Sequence, residues 1–546
     1  MGRGVGGVPD GRRRQDDPAR GHGRQARPPA EARTRPRCTV YPGAVPPASV
    51  LRAHRVRGWL VAAAVTVLAA ALRLPALGRP HSLVFDETYY VKDAWTLLRL
   101  GYEGQWPADP NPAFEAGDVY GYSASAAYVV HPAVGKWLIA AGLQVFGAKD
   151  PVGWRISAAV AGIVAVLLLT RVARRLFRST MLGAVAGALL AIDGAAIVAS
   201  RTSLLDGFLM VLVLAAFGAL LLDRDLAAER LAASTAPPRA PQRWGPGLGL
   251  RPWRLAAGVL LGLAVGTKWS ALYFVAVFGL LTVGWDASAR YRAGVRLWWQ
   301  ATVLRDAGPA FLSLVPVAAL TYLATWFSWF AHPGAYGRQW AVDHPGEGVQ
   351  WLPPALRSLW KYHQDMWGFH NGLETPHDYA ASPLGWPVQW RPTSFFYQSP
   401  EPAQQACGAD HCSQAITSLG NPLIWWLASI AVLLCVWWVV RHRDGVAVAV
   451  LSGIVAGWLP WFAYAHRTIF TFYSIVFAPW MILALTYAGW RVLQGGDDVG
   501  RTVRRVVVAA LAVLVVAVSV FFYPVWTAQV VTFRFWQLHM WLPSWV

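Results

Sequence analysis

The chain has 546 residues, of which 55% are hydrophobic and only 14% are charged. Soluble domains carry about 25% charged residues, so this composition excludes an ordinary soluble protein and indicates a chain that lies largely in a membrane. A net charge of +19 would suggest nucleic-acid binding in a soluble protein. Because the arginines are concentrated in the N-terminal tail and in alternate loops, they indicate membrane orientation instead, and no nucleic-acid partner is predicted.

The N-terminal segment 1–57 is rich in Arg, Pro and Gly and shows no hydrophobic period. Such a composition predicts a disordered tail. It lacks the compact basic start, short apolar core and small-residue cleavage site of a signal peptide. An arginine-rich tail directly before a span is expected to stay in the cytoplasm, so the first helix is predicted to run outward.

Long apolar runs predict about eleven transmembrane helices, since a helix needs about 20 apolar residues to cross the bilayer. The runs are 59–77, 154–172, 181–200, 203–222, 255–267, 270–285, 308–330, 421–440, 446–464, 468–488 and 506–526. The sequence therefore predicts an all-α polytopic membrane protein.

The positive-inside rule supports this topology. Starting from a cytoplasmic N-terminus, the arginine-bearing loops fall on the inside: 171–178, 223–254, 286–307, 441–443 and 489–505. The main external loops are then 78–153 and 331–420. The assignment requires that the moderately apolar segment 131–146 does not cross the membrane. We expect it and the segment 91–100 to be interfacial helices with one apolar face each.

Two adjacent carboxylates, Asp86 and Glu87, directly follow the first predicted span. One interpretation is an acidic pair that complements the dipole of a helix beginning near Thr88. The other is a general base that accepts the proton of an attacking hydroxyl while its neighbour orients a substrate group. Topology places the pair at the outer membrane surface.

Several cationic or titratable side chains are predicted to lie at the same boundary. They are Lys268, Arg467, His131, Arg155 and Arg201. Each alone is explained by snorkelling toward the interface. Together they form a candidate anion site, because positive groups stabilise the charge that develops on a phosphate leaving group. Asp206, by contrast, is explained by its place in the first turn of a helix capped by Thr202 or Ser203.

The segment 331–420 contains many Trp, His, Pro and Tyr residues, which indicates either interfacial anchoring or a roof over a substrate cleft. Within it, Cys407 and Cys412 enclose a short loop that favours a disulfide over a zinc site, since a second ligand pair is missing nearby. No metal site is predicted. Phosphate-loop and dinucleotide motifs are not found in a plausible setting, so no cofactor is predicted either.

The chain resembles the protein O-mannosyltransferases, specifically the actinobacterial type that depends on polyprenyl-phosphate mannose. The resemblance covers nearly all of 58–546. It is carried by Phe85-Asp86-Glu87-Thr88-Tyr89-Tyr90-Val91-Lys92-Asp93-Ala94, His131-Pro132 with Gly135-Lys136, Trp154-Arg155-Ile156-Ser157, Arg201 through Asp206, Gly266-Thr267-Lys268, and Arg467 before Phe472-Tyr473.

This resemblance implies a GT-C glycosyltransferase fold with juxtamembrane helices in the first external loop. It implies transfer of mannose, with inversion, to Ser or Thr hydroxyls of exported proteins outside the plasma membrane of a bacterium. Asp86 matches the catalytic acid position and Glu87 its neighbour, while Lys268, Arg467 and His131 are carried over as phosphate-contacting. Eukaryotic members carry a β-trefoil domain in the large external loop, and the segment 331–420 is too short for it.

The sequence also leaves three other functions to consider. A relative with the same fold could transfer a sugar to a lipid or a cell-wall glycan, although the residues 88–92 argue against an aminoarabinose transferase. An oligosaccharyltransferase is expected to carry a Trp-Trp-Asp-Tyr-Gly signature, which this chain lacks. A lipid-linked sugar flippase would perform no chemistry and would have little use for an acid pair beside a phosphate site.

Overall fold

A computed structural model describes residues 2, 48–235, 243–400, 407–495 and 498–546 of the chain. The first helices are α1 (Ala48–Arg73), α2 (Glu87–Leu100), α3 (Asn111–Glu115), α4 (Val134–Phe146), α5 (Pro151–Phe177), α6 (Thr180–Ile192), α7 (Gly194–Ala199), α8 (Leu205–Thr235), α9 (Pro252–Val265) and α10 (Ala271–Arg292). Helix α1 begins inside the segment predicted to be a disordered tail, and residues 3–47 of that segment lie outside the described residues.

The second half of the chain continues with α11 (Trp298–Ala301), α12 (Gly308–Ala324), α13 (Phe327–Ala331), α14 (Trp340–Asp343), α15 (Pro354–Gly372), α16 (Pro422–His442), α17 (Gly445–Gly457), α18 (Ala478–Gln494), α19 (Asp498–Trp526) and α20 (Phe533–Gln537). A π-helical segment (Thr302–Ala307) leads into α12. Shorter 3-10 helices cover Pro383–Val388, Leu459–Tyr464, Thr471–Val476 and Pro543–Trp545.

Each predicted span coincides with helical structure. Within the described ranges, eight helices are long and apolar enough to cross a membrane. Helices α6 and α9 are apolar but shorter, and the predicted span 468–488 begins as a 3-10 helix before α18. The number eleven therefore stays a prediction. The predicted interfacial segments form α2 and α4, which pack against each other.

A small antiparallel sheet was not predicted from the sequence. Strands β1 (Thr393–Gln398), β2 (Cys412–Ser418) and β3 (Val530–Thr532) lie in the order β1-β2-β3. Their β-branched and aromatic residues favour strands, and a disulfide joins Cys407 to Cys412 at the start of β2, as the sequence favoured. The segment 331–420 thus contributes α14, α15 and two strands.

Helices α8, α9 and α10 are joined by a buried ion-pair network. Arg251 binds Asp223 at 2.5 Å, and Arg254 binds Asp286 at 2.6 Å. All four side chains are buried, so each charge requires its partner. The network fixes α9 and α10 at the end opposite the turn that connects them. That turn carries Lys268.

Candidate active site

Asp86 is positioned by the residue before it. Phe85 has a left-handed backbone (φ 49°), which is costly for a residue other than glycine. Its ring stacks on Phe395 of β1 at 4.9 Å and also packs against Phe472. Aromatic packing therefore maintains the turn that places Asp86 at the N-terminus of α2. The Asp86 carboxylate makes no capping hydrogen bond to the backbone amides of α2, so helix capping does not explain this side chain.

Two charged groups, Lys268 and Asp206, influence the pKa of the Asp86 carboxylate. Burial raises the pKa of Asp86 to about 6, and the negative charge of Asp206 adds to this rise. The positive charge of Lys268 and a hydrogen bond from the Tyr90 hydroxyl both lower the pKa and limit the rise. At neutral pH the carboxylate is consequently ionised but only weakly stabilised in that form. A carboxylate with such a pKa is suited to accept a proton near neutral pH.

Lys268 forms the centre of the charged cluster. Its Nζ lies 3.0 and 2.9 Å from the two carboxylate oxygens of Asp206 and 4.1 Å from the ring centroid of Tyr473. The sequence explained Asp206 by its place at a helix start, and the residue does lie in the first turn of α8. The structure shows that its carboxylate also binds Lys268, a partner that no local sequence signal reveals.

A cavity of about 990 Å³ opens beside this cluster. Its polar lining includes Lys268, Arg467 and His131, and its apolar lining includes Val275 of α10 and Val315 of α12. Lys268, Arg467 and His131 therefore face one common space. The cavity therefore combines a cationic cluster with walls taken from apolar helices.

Arg467 and His131 provide different kinds of polar contact. Among the described residues, no carboxylate forms an ion pair with Arg467, and its buried Nε has no hydrogen-bond partner. The His131 ring packs against His370 at 4.9 Å. Burial lowers the pKa of His131 well below its usual value, and Lys268 and His370 lower it further. His131 is therefore neutral near pH 7.

Glu87 and Arg155 are bound to each other rather than to the cavity. Arg155 Nε and Nη2 donate to the two Glu87 oxygens at 2.9 and 2.8 Å. Glu87 also accepts the amide hydrogens of Val84 and Ser203 at 3.0 and 2.9 Å. Both partners of the pair are fully buried. The pair ties the loop before α2 to α5 and to the start of α8.

Arg201 is likewise engaged with the backbone. Its guanidinium group donates to the carbonyl oxygens of Arg73, Pro75 and Ala76 at 2.6, 2.8 and 2.7 Å. These carbonyls end α1 and begin the loop toward Asp86. Neither Arg155 nor Arg201 lines the cavity among the described residues. Of the five predicted phosphate-binding side chains, the cavity therefore brings together Lys268, Arg467 and His131.

The aromatic residues of the segment 331–420 divide into two groups. Trp360 and Trp367 of α15 line the cavity and are about half exposed, as a roof over a cleft requires. Trp351 and Trp390 are also exposed but do not line it. The position of Trp360 and Trp367 agrees with a roof over a cleft, and interfacial anchoring by the other exposed tryptophans stays a prediction.

Two family models match the chain. Residues 63–327 match the family described as dolichyl-phosphate-mannose-protein mannosyltransferase. Residues 355–545 match the C-terminal four-span region of protein O-mannosyltransferase. Together the two matches extend over most of the chain, including the residues around Asp86, Lys268 and Arg467.

Relatives and solved structures agree with these matches. The chain is 39% identical over 539 residues to the polyprenol-phosphate-mannose–protein mannosyltransferase of Mycobacterium tuberculosis strain H37Rv, covering 95% of this chain and 99% of that protein. The Corynebacterium glutamicum protein of the same name is 33% identical, with 89% and 93% coverage.

The yeast protein O-mannosyltransferase Pmt1-Pmt2 complex, solved with its sugar donor, has a TM-score of 0.69 at 15% identity and covers 90% of this chain and 93% of that chain. This likeness confirms the predicted fold class, a polytopic helical protein of the GT-C type. The prediction of a glycosyltransferase is confirmed by the family models and relatives. The chain belongs to the protein O-mannosyltransferase family.

Proposed function

We propose that this protein transfers mannose from polyprenyl-phosphate mannose to Ser or Thr hydroxyls of exported proteins, at the extracytoplasmic face of a bacterial plasma membrane. One observation carries the proposal: Lys268 and Arg467 line a cavity that also has apolar walls, and the pKa of the Asp86 carboxylate responds to the charge of Lys268. A lipid-linked sugar phosphate has the matching combination of an anionic centre and an apolar chain. The names of the bacterial relatives support the same donor and a protein acceptor.

The donor phosphate is held by Lys268 and Arg467. Arg467 has no competing carboxylate partner among the described residues, so its charge is available to an anion. His131 is neutral and contributes a hydrogen bond instead of a charge. The polyprenyl chain extends along the apolar walls provided by α10 and α12. No metal ion is needed to supply positive charge in this arrangement.

Asp86 acts as the general base. As the acceptor oxygen attacks the anomeric carbon of mannose, the Asp86 carboxylate takes the hydroxyl proton. A bond forms between the acceptor oxygen and that carbon, and the bond between the carbon and the phosphate oxygen breaks. Polyprenyl phosphate leaves with the electron pair, stabilised by Lys268 and Arg467. Attack from the face opposite the phosphate inverts the configuration.

Glu87, Arg155 and Arg201 are positioning residues in this proposal. Their hydrogen bonds fix the loop between α1 and α2 and thereby the direction of the Asp86 carboxylate. This assignment replaces direct catalysis by Glu87 and phosphate binding by the two arginines. It rests on their complete engagement with one another or with backbone carbonyls.

Asp86→Asn tests the central assignment. Asparagine keeps the size of the side chain but cannot accept the proton, so we expect transfer to fall by about 100-fold or more. Membranes containing the variant are incubated with radiolabelled polyprenyl-phosphate mannose and a peptide rich in Ser, Thr and Pro. Label in the peptide and release of free polyprenyl phosphate are both measured.

Asp118→Asn is the matched control, because Asp118 is an exposed carboxylate in the same external loop. It should transfer label at the wild-type rate. Wild-type turnover by Asp86→Asn would refute the role of Asp86. Label that enters a lipid or glycan fraction instead of the peptide would overturn the acceptor, and a donor that is moved without release of polyprenyl phosphate would indicate transport.

A further inference from the structure

One face of helix α15 lines the cavity with amide side chains that have no assigned role. Gln364 and Asn371 both belong to the cavity lining, and among the described residues neither makes a hydrogen bond through its side chain. They alternate along the helix with Trp360 and Trp367. The opposite face of α15 is buried, with Tyr362 and Met366 packed in an aromatic cluster. An amide side chain can both donate and accept hydrogen bonds.

Asn371 lies at the end of α15 that adjoins the proposed phosphate site. The Thr468 amide, which follows Arg467, donates to the Leu373 carbonyl at 2.9 Å. On the other side, His370 donates from Nε2 to the Val130 carbonyl at 2.7 Å and packs against His131. Asn371 is therefore held between the segments that carry Arg467 and His131.

Gln364 is farther from that site. Asn371 comes seven positions after Gln364 in the helix, which corresponds to about 10 Å along the axis. Gln364 lies within one turn of Trp360, toward the start of α15. The two amides thus line different parts of the same cavity.

The chemistry of Asn371 fits a hydroxyl better than a phosphate. The cations Lys268 and Arg467 already supply the charge that a phosphate requires. A sugar hydroxyl donates one hydrogen bond and accepts others, as an amide does, and the sugar is attached directly to the phosphate. Burial lowers the pKa of His370 to about 4, with Arg467 and Lys268 lowering it further, so the neighbour of Asn371 in the helix is neutral near pH 7.

We infer that Asn371 binds a hydroxyl group of the transferred hexose and contributes to the choice of sugar, whereas Gln364 does not. The inference rests on the proposed function, because it assumes a hexose attached to the phosphate held by Lys268 and Arg467. It adds a sugar-recognition residue to the anion site and the base.

Deoxy donors test this assignment. Polyprenyl-phosphate donors carrying mannose or its 2-, 3-, 4- or 6-deoxy form are compared by kcat/KM for the wild type, Asn371→Leu and Gln364→Leu. The wild type should discriminate against at least one deoxy donor by about 10-fold or more, the effect of one lost hydrogen bond that leaves its partner unpaired. Asn371→Leu should reduce that ratio to about 1 at one position, and Gln364→Leu should keep it.

The ratio between two donors does not depend on the fraction of active enzyme, so partial misfolding of a variant does not obscure the result. Asn371→Ala provides a second variant without added bulk. If Asn371→Leu and Asn371→Ala retain every wild-type ratio, or if the wild type accepts all deoxy donors equally, the inference is overturned and the mannosyltransferase function stands. If the wild type transfers no mannose to peptide at all, the proposed function itself fails.

Discussion

At the residue scale, two adjacent carboxylates have different charged partners. Glu87 and Arg155 neutralise each other in a fully buried pair, and breaking such a pair is costly because it leaves an unpaired charge. Asp86, next to Glu87 in the chain, has no such partner of its own and shares Lys268 with Asp206. Adjacent carboxylates therefore have different environments, which the dipeptide alone does not reveal.

The pH dependence of transfer should report the ionisation of Asp86. Its pKa is raised to about 6, and a general base must be ionised, so kcat/KM should fall as the pH drops through about 6. Asp206→Asn removes a neighbouring negative charge that raises this pKa. We expect the acid limb of the pH profile to move to lower pH in that variant. Profiles of kcat/KM between pH 4.5 and 8 measure the shift.

Asp118→Asn serves again as the control, because Asp118 is an exposed carboxylate and is not among the described groups that shift the pKa of Asp86. Its acid limb should coincide with that of the wild type. A profile for Asp206→Asn that is unchanged, or that moves to higher pH, would contradict the electrostatic account of the cluster.

At the element scale, close helix packing depends on glycine. A Cβ at Gly262 of α9 would lie 2.5 Å from the carbonyl oxygen of Ala318 in α12. Gly262→Ala must therefore separate α9 from α12, a strain that costs about 1–3 kcal/mol and outweighs the gain of up to ~1 kcal/mol from better helix propensity. We expect a lower melting temperature, measured by tryptophan fluorescence of the protein in detergent.

Gly279 of α10 is the matched control for that substitution. It is also a glycine inside a helix, but a Cβ there would have no neighbour within 4 Å. Gly279→Ala should melt at the wild-type temperature or slightly above it. Equal melting temperatures for the two alanine variants would show that the α9–α12 contact does not require glycine.

The helices were easier to predict from the sequence than the sheet. A long apolar run is a local signal, and helix hydrogen bonds join residues four apart, so the predicted runs coincide with helices. Strand β3 follows α19, more than 100 residues after β2, and pairs with it only in the folded chain. Pairing between distant segments is not encoded in either segment alone.

At the scale of the whole molecule, the distribution of arginine predicts that the loops 78–153 and 331–420 lie outside the cell. Single cysteines introduced by Ala124→Cys and His442→Cys, both at exposed positions, test this orientation. In a background without Cys38 and Cys435, a membrane-impermeant maleimide should label only Ala124→Cys in intact cells. His442→Cys should react after permeabilisation, and the opposite pattern would reverse the predicted topology.

The membrane character, the positions of the helical runs, the family resemblance, and the candidates Asp86, Lys268 and Arg467 could all be predicted from the amino-acid sequence. These depend on composition, local periodicity and short motifs. Three further features became visible only in the folded chain: Asp206 binds Lys268, Arg155 and Arg201 hold the loop before α2, and Asn371 lines the cavity. The role of a buried charge or amide depends on the groups that it contacts, and these groups come from segments far apart in the chain.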